Sequence, residues 1–198
     1  MRAVVFDLWE TVAAWPHDDM APLLDAAGLT LDEWAGDDRR DRRWTGPFRD
    51  YLDSLGLDRD AAARALELRL ELTRRSLVPA RGVTLVLDEL RARGLRLGLV
   101  SNCSSEVGEL WEQSPFGGRF DAVVLSADVG ICKPDPRIYR LALERLGVDP
   151  AEAVFVGDGH SDELAGATRV GMRAIQLGSR DGWSGERIDS LEELLVLL

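Results

Sequence analysis

The chain has 198 residues, 45% of them hydrophobic, enough to bury a core as one domain or as one domain carrying a modest insertion. Its net charge of −11 and isoelectric point near 4.7 argue against nucleic acid and anionic membrane as partners. An anionic substrate would therefore need a locally positive site, such as one built around a metal. Cys103 and Cys132 are too few for a disulfide framework and lack the paired spacing of zinc ligands. With no signal-like leader and no apolar run of membrane-spanning length, a reduced, cytoplasmic setting is expected.

Taken in chain order, residues 2–6 (RAVVF) form an apolar run ending at Asp7. This is the pattern of a buried strand that delivers a carboxylate at its C-terminal end. Residues 14–79 are rich in Asp, Arg, Leu and Ala and carry no strand pattern. They read as helices, with Arg64, Glu67, Glu71 and Arg75 on a solvated face and Leu66, Leu70 and Leu77 on a buried one. Beyond residue 80, strand-like runs at 95–100, 121–125, 153–157 and 172–177 alternate with helix-like segments at 83–93, 105–113, 136–146 and 161–170. Gly94, Gly147 and Gly171 stand as helix stops, and 190–198 (SLEELLVLL) reads as a last helix. Such alternation predicts an α/β protein, a Rossmann-like parallel sheet wrapped by helices. Its core would comprise residues 1–13 and 80–198, with 14–79 as an all-helical insertion.

Open parallel sheets bind ligands beyond the carboxyl ends of their strands, where loops and helix N-termini converge. The residues that follow the strands are therefore the candidates. Asp7 and Thr11 follow the first, Ser101 and Asn102 the second, Lys133 lies in the loop after the third, and Asp158 and Asp162 follow the fourth. Lys133 is the only lysine, every other basic side chain being arginine. Genomic bias toward arginine explains this composition, and the lysine that survives in it is a candidate for presenting a compact point charge to a phosphate.

In order and spacing these stretches resemble the four signature motifs of the haloacid dehalogenase (HAD) superfamily of hydrolases. FDLWETV carries the first at Asp7 and Thr11, VSN the second at Ser101 and Asn102, KPDPRIY the third from Lys133, and GDGHSDELAGA the fourth from Gly157. One such motif is weak evidence; four in order at successive strand ends are strong. The resemblance implies that residues 14–79 are a helical cap. It also implies a magnesium-dependent phosphatase, acting on a small phosphorylated metabolite through an aspartyl-phosphate on Asp7. In that scheme Mg²⁺ is held by Asp7, Asp158 and the backbone carbonyl of Trp9, with Asp162 and Thr11 in support. Lys133 and Ser101 act in catalysis, and together with Asn102 they bind the substrate.

One position departs from the pattern. HAD phosphatases carry a second aspartate two residues after the nucleophile, a general acid and base, where this chain has Trp9. General acid–base help is worth about 10²- to 10⁴-fold, so a phosphatase lacking it is expected to be slow or restricted to good leaving groups. Glu10 and His17 are the nearest candidates to replace it. Two other functions fit Trp9: a metal-independent 2-haloacid dehalogenase, whose halide needs no proton, and a catalytically impaired binding protein. Asp158 counts against the dehalogenase, because its extra charge without a metal opposes an anionic substrate. His160 is either an exposed first-turn residue or a base. Trp15, Trp34 and Trp44 are either the core of the helical insertion or a pocket lining. Arg39, Arg40, Arg42 and Arg43 form either a solvated face or one that turns a member inward.

Overall fold

The computed structural model describes residues 1–15, 20–36 and 40–198. Its centre is β1 (Ala3–Phe6), buried at all four positions because both faces of the sheet are covered. Alternate side chains serve opposite layers. Val4 and Phe6 enter one apolar cluster with α6 (Val83–Ala92) and α7 (Ser105–Trp111), while Ala3 and Val5 enter another with α9 (Pro136–Leu146) and α10 (Glu163–Arg169). This is why the strand reads as a continuous apolar run instead of an alternating one.

The remaining strands are β2 (Arg96–Ser101), β3 (Ala122–Leu125), β4 (Ala153–Gly157), β5 (Arg173–Leu177) and β6 (Glu186–Ile188). All pair in parallel, in the order β3-β2-β1-β4-β5-β6. The chain winds outward from β1 to β3, then returns to β1's other side with β4, so the direction of winding reverses between β1 and β4. At such a switch point the connections leave in opposite directions and open a crevice at the strands' carboxyl ends. The Rossmann-like α/β fold expected from the sequence is the fold observed, with strand bounds within a residue or so of expectation. The short β6 and the single-turn helix α8 (Ser126–Val129) carry too little pattern to be read in advance. The chain's end holds a short helix, α11 (Leu194–Leu197), preceded by one tight turn. No helix among the described residues is long and apolar enough to cross a membrane.

Local chemistry explains the best-defined helix. In α9, Asp135 caps the N-terminus by accepting from Arg137 N at 2.9 Å, Pro136 occupies the first turn, and Gly147 ends the helix with φ 62°. The PDP of the third motif is thus a helix start that fixes the loop carrying Lys133. Close packing of α9 on the sheet also needs Gly98, where a Cβ would stand 2.9 Å from Leu146 Cδ1.

Between β1 and α6 lie α1 (Ala21–Ala26), α2 (Leu31–Gly36), α3 (Arg40–Trp44), α4 (Phe48–Ser54) and α5 (Arg59–Ser76). They share their own apolar cluster of Leu23, Trp34, Phe48, Tyr51, Leu52 and Leu72, among others. The chain enters and leaves this segment side by side: Ala80 N donates to Val12 O at 2.9 Å, and Ala13 bridges Pro79.

The buried stripe of α5 differs from the expected one. It comprises Ala65, Arg69, Leu72, Thr73 and Ser76; Leu66 and Leu70 are half-buried, and Leu77 joins the sheet's cluster. The pattern was obscured because an arginine stands in the middle of the stripe. Arg69, 3% exposed, donates from Nε and Nη2 to Ser104 Oγ at 3.1 and 2.8 Å and faces Glu106 Oε2 at 3.8 Å. Phe48 N donates to Ser105 Oγ at 3.0 Å beside it. The start of α7, immediately after the second motif, is therefore the seat on which α4 and α5 rest. Burial pulls the Arg69 pKa down, and burial pushes the Glu106 carboxyl above its usual range against the attraction of Arg69.

Removing one partner of a buried pair leaves an uncompensated charge, at a cost of about 3–5 kcal/mol. Arg69→Met is expected to lower unfolding free energy by that amount in urea titrations, and Arg69→Met with Glu106→Leu to recover most of it. A double variant no more stable than Arg69→Met would contradict the pairing.

Candidate functional site

The site assembles at the carboxyl ends of β1, β2 and β4. Asp7 continues the sheet hydrogen bonding, its N–H donating to Val156 O at 2.9 Å, and its side chain is buried at the crevice floor. Thr11 Oγ1 donates to Asp7 Oδ2 at 3.3 Å from the turn that follows. Ser101 is fully buried at the end of β2, its Oγ without a hydrogen-bond partner among the described residues. Asn102 grips the backbone of Lys133 from both sides, donating from Nδ2 to Lys133 O at 3.0 Å and accepting from Lys133 N at Oδ1 at 2.7 Å. Its amide thus positions the lysine.

So held, Lys133 Nζ donates to Asp7 Oδ1 and, at 2.5 Å, to Glu163 Oε2. Glu163 is the functional residue that the sequence reading missed. Asp162, expected to lend support here, is exposed, and the buried acid is its neighbour. The reason is the turn after β4, where Gly159 at φ 90°, Ser161 at 58° and Asp162 at 52° all take left-handed backbone. This winding makes Glu163 the first residue of α10 and turns it inward. Gly157 is needed as well, since a Cβ there would lie 2.1 Å from Glu163 Oε1. Gly159 N then donates to that oxygen at 3.0 Å.

Three acids and one ammonium share this crevice. Burial raises the Asp7 carboxyl above its ordinary range, with Lys133 pulling the other way. Burial and the neighbouring Asp7 push Glu163 up to about 8. Burial alone would depress the Lys133 pKa, but the attraction of Asp7 and Glu163 outweighs it and holds the pKa above normal. The ammonium is therefore a permanent charge against the nucleophile candidate.

Asp158 follows β4, buried, with Oδ1 accepting from His160 N at 3.0 Å and Oδ2 accepting from Arg180 Nε and Nη2 at 3.1 and 2.7 Å. Carboxylate oxygens of Asp7, Asp158 and Glu163 lie within 4.8 Å of one another. An all-oxygen, all-carboxylate set of this kind fits a hard divalent cation such as Mg²⁺. Asp7 and Asp158 could hold such an ion from the ends of β1 and β4, beside Glu163, which Lys133 and Gly159 hold.

A cavity of about 410 Å³ opens over the site, lined by Lys133, Asn102, His160, Asp162, Arg180 and Trp44 among others. His160 is exposed, with Nδ1 2.7 Å from Ser161 Oγ. Of the tryptophans, Trp44 reaches this cavity and Trp34 is core of the helical segment. Trp15 packs edge-on against Trp9 with ring centroids 5.1 Å apart. Arg43 does turn inward, but onto the Trp34 ring at 4.1 Å and the Trp34 carbonyl; Arg42 is exposed. Arg39 and the side chain of Arg40 lie outside the described residues.

Trp9 itself is 9% exposed and belongs to the sheet's apolar cluster. Its indole fills the junction between sheet and helical segment. Glu10, at φ 57°, uses Oε1 to accept from Trp15 N at 2.7 Å, which ties its carboxylate to the turn. His17 lies outside the described residues.

A carboxylate at a Rossmann-like switch point is here flanked by a lysine, a hydroxyl and two further acids. The chain belongs to the haloacid dehalogenase-like hydrolase family, whose model matches residues 1–168. It is 38% identical over 142 residues, 67% of its length, to a phosphoserine phosphatase of Thermus thermophilus. It spans 55% of that relative, and about half or less of the next curated relatives it matches. Among solved structures it resembles a HAD phosphatase from Thermococcus onnurineus, with a TM-score of 0.76 and 26% identity over 100% of this chain and 97% of the other. It also resembles a 2-haloacid dehalogenase from Pseudomonas syringae, with a TM-score of 0.69 and 25% identity over 100% and 97%.

The two cysteines report on this geometry. Cys103 is 1% exposed and burial pushes its thiol up to about 12, whereas Cys132 is half-buried at the cavity. Thiolates are the reactive species, so iodoacetamide at pH 8 is expected to label Cys132 and spare Cys103 in the native protein, read by peptide mass spectrometry. Labelling of both at similar rates would contradict the burial of Cys103.

Proposed function

We propose that this protein is a magnesium-dependent phosphatase of small phosphorylated metabolites, residues 14–79 forming the cap over its site. The single observation that carries the reading is Lys133 Nζ bridging Asp7 and Glu163 beside Asp158. A nucleophilic carboxylate can approach a phosphate only where charge is neutralised, and this arrangement supplies a fixed cation and a pair of hard ligands.

Asp7 would attack phosphorus through the oxygen not held by Lys133, breaking the ester bond and forming an aspartyl phosphate that water then hydrolyses. Lys133 would pair with an equatorial phosphate oxygen, and Ser101 Oγ would donate to another. Thr11 would keep the Asp7 carboxylate in its rotamer through its hydrogen bond to Oδ2. Asp7, Asp158 and the carbonyl of Trp9 would hold Mg²⁺, which supplies charge neutralisation for the two anionic reactants. Asn102 would act through Lys133, whose backbone it grips.

Among the described residues, neither position 9 nor position 10 offers the leaving oxygen an acid. Trp9 packs into the core, and Glu10 is hydrogen-bonded to Trp15 N. Turnover therefore depends on leaving groups that depart without a proton. This absence also suits a dehalogenase, and the likeness to a 2-haloacid dehalogenase keeps that reading open to test. Asp158 beside Asp7 supports the phosphatase, because only a cation makes that pair of charges useful.

With Mg²⁺ the protein is expected to release phosphate from p-nitrophenyl phosphate and to release it far more slowly from alkyl phosphates. Asp7→Asn is expected to abolish both activities. Trp9→Asp is expected to raise the alkyl rate selectively, by about 10²-fold or more if the acid role is restored. Halide release from 2-chloropropionate without metal, in place of phosphate release, would assign the dehalogenase reaction instead.

A further inference from the structure

Arg180 belongs to none of the four motifs, yet among the described residues its guanidinium makes the only side-chain hydrogen bonds to the Asp158 carboxylate, through Nε and Nη2 to Oδ2. The other carboxylate oxygen accepts from His160 N. Both oxygens of Asp158 are thus engaged, and the one that faces a side chain faces a positive one. A divalent cation on Asp158 would compete with Arg180 for the same lone pairs and repel its charge at close range.

Arg180 is built to yield. Its side chain is 48% exposed, and its backbone sits in a loop bounded by Gly178 at φ 80° and Gly182 at φ 96°. The loop's base is pinned, Gln176 Nε2 donating to Arg180 O at 2.9 Å and to Asp158 O at 3.2 Å, so the side chain can swing while the backbone stays in register with the site. Arg180 lines both the cavity over Lys133 and a second cavity of about 520 Å³, which Asp158 also lines. Asp189 and Glu192 line that second cavity as well, beside Arg81, and give a displaced guanidinium acids to move toward.

We propose that Arg180 guards the metal position, pairing with Asp158 until a divalent cation takes the carboxylate and then swinging toward the acids of the neighbouring cavity. The inference rests on the reading of Asp158 as a metal ligand. Its consequence is that the protein's cation affinity is set below what its carboxylates alone would give.

The test is Mn²⁺ binding, followed by the electron paramagnetic resonance signal of the free ion, for the full chain and its Arg180→Ala, Arg180→Lys and Asp158→Asn variants. No turnover is needed. Arg180→Ala is expected to bind Mn²⁺ roughly two- to tenfold more tightly than wild type, the scale of a half-exposed charged pair. Arg180→Lys, which keeps the charge, should fall between, and Asp158→Asn should bind weakly or not at all. Unchanged or weaker affinity in Arg180→Ala, with native near-ultraviolet circular dichroism, would overturn the guard while leaving the metal site standing. If Arg180→Ala does not fold, Arg180→Lys binding no tighter than wild type would overturn it. Absence of Mn²⁺ binding in every protein would overturn the metal reading, and the guard with it.

Discussion

The bridge from Lys133 to Asp7 and Glu163 is the interaction on which the rest of the site depends. A buried carboxylate at the end of a parallel strand is costly unless paired, and here one ammonium compensates two acids. Almost every nearby feature serves to aim it. Asn102 holds its backbone, Asp135 and Pro136 start the helix that ends its loop, and Gly157 leaves room for the second acid. Tyr139, from the same helix, donates to the carbonyl of Glu163 at 2.9 Å and stacks edge-on against Phe155 beneath the ammonium. The sheet brings these parts together only because β1 and β4 are neighbours at the switch point, although 146 residues separate the last residue of β1 from the first that β4 contributes.

The same economy of charge governs the contact between the helical segment and the sheet. Arg69 reaches from α5 to Ser104 and Glu106 at the start of α7, only a few residues beyond Ser101. Trp9, two residues beyond Asp7, packs on Trp15 at the same junction, where the Arg69 guanidinium also lies over the Trp15 ring. One contact is made by a residue of the first motif and the other by residues just beyond the second, so the seating of the helical segment and the geometry of the site are mechanically joined. The family's usual acid position is here a packing position. An indole is wedged there between the two parts.

Much of this was legible in the sequence. Runs such as AVVF and AVFVG have the pattern of strands buried on both faces, and glycines at helix ends mark the alternation that implies a parallel sheet. The polar residues after those strands name Asp7, Ser101, Lys133 and Asp158 without reference to any contact. The helical segment was harder. The buried stripe of α5 passes through Arg69, and hydrophobic periodicity does not register an arginine that is buried because it meets a carboxylate from another element.

The sequence by itself determined the order of elements and which strand ends carry chemistry, because hydrophobic period, caps and turn residues act over a few neighbouring positions. Tertiary structure alone decided which acid enters the site. Asp162 and Glu163 are adjacent, and the left-handed backbone at Gly159, Ser161 and Asp162 leaves one exposed at the cavity and turns the other onto Lys133. It alone decided that Arg180, 22 residues from Asp158, lies against its carboxylate. Side-chain direction in a loop is fixed by what packs around it, and a carboxylate's partner is fixed by distance in space, neither of which local pattern records.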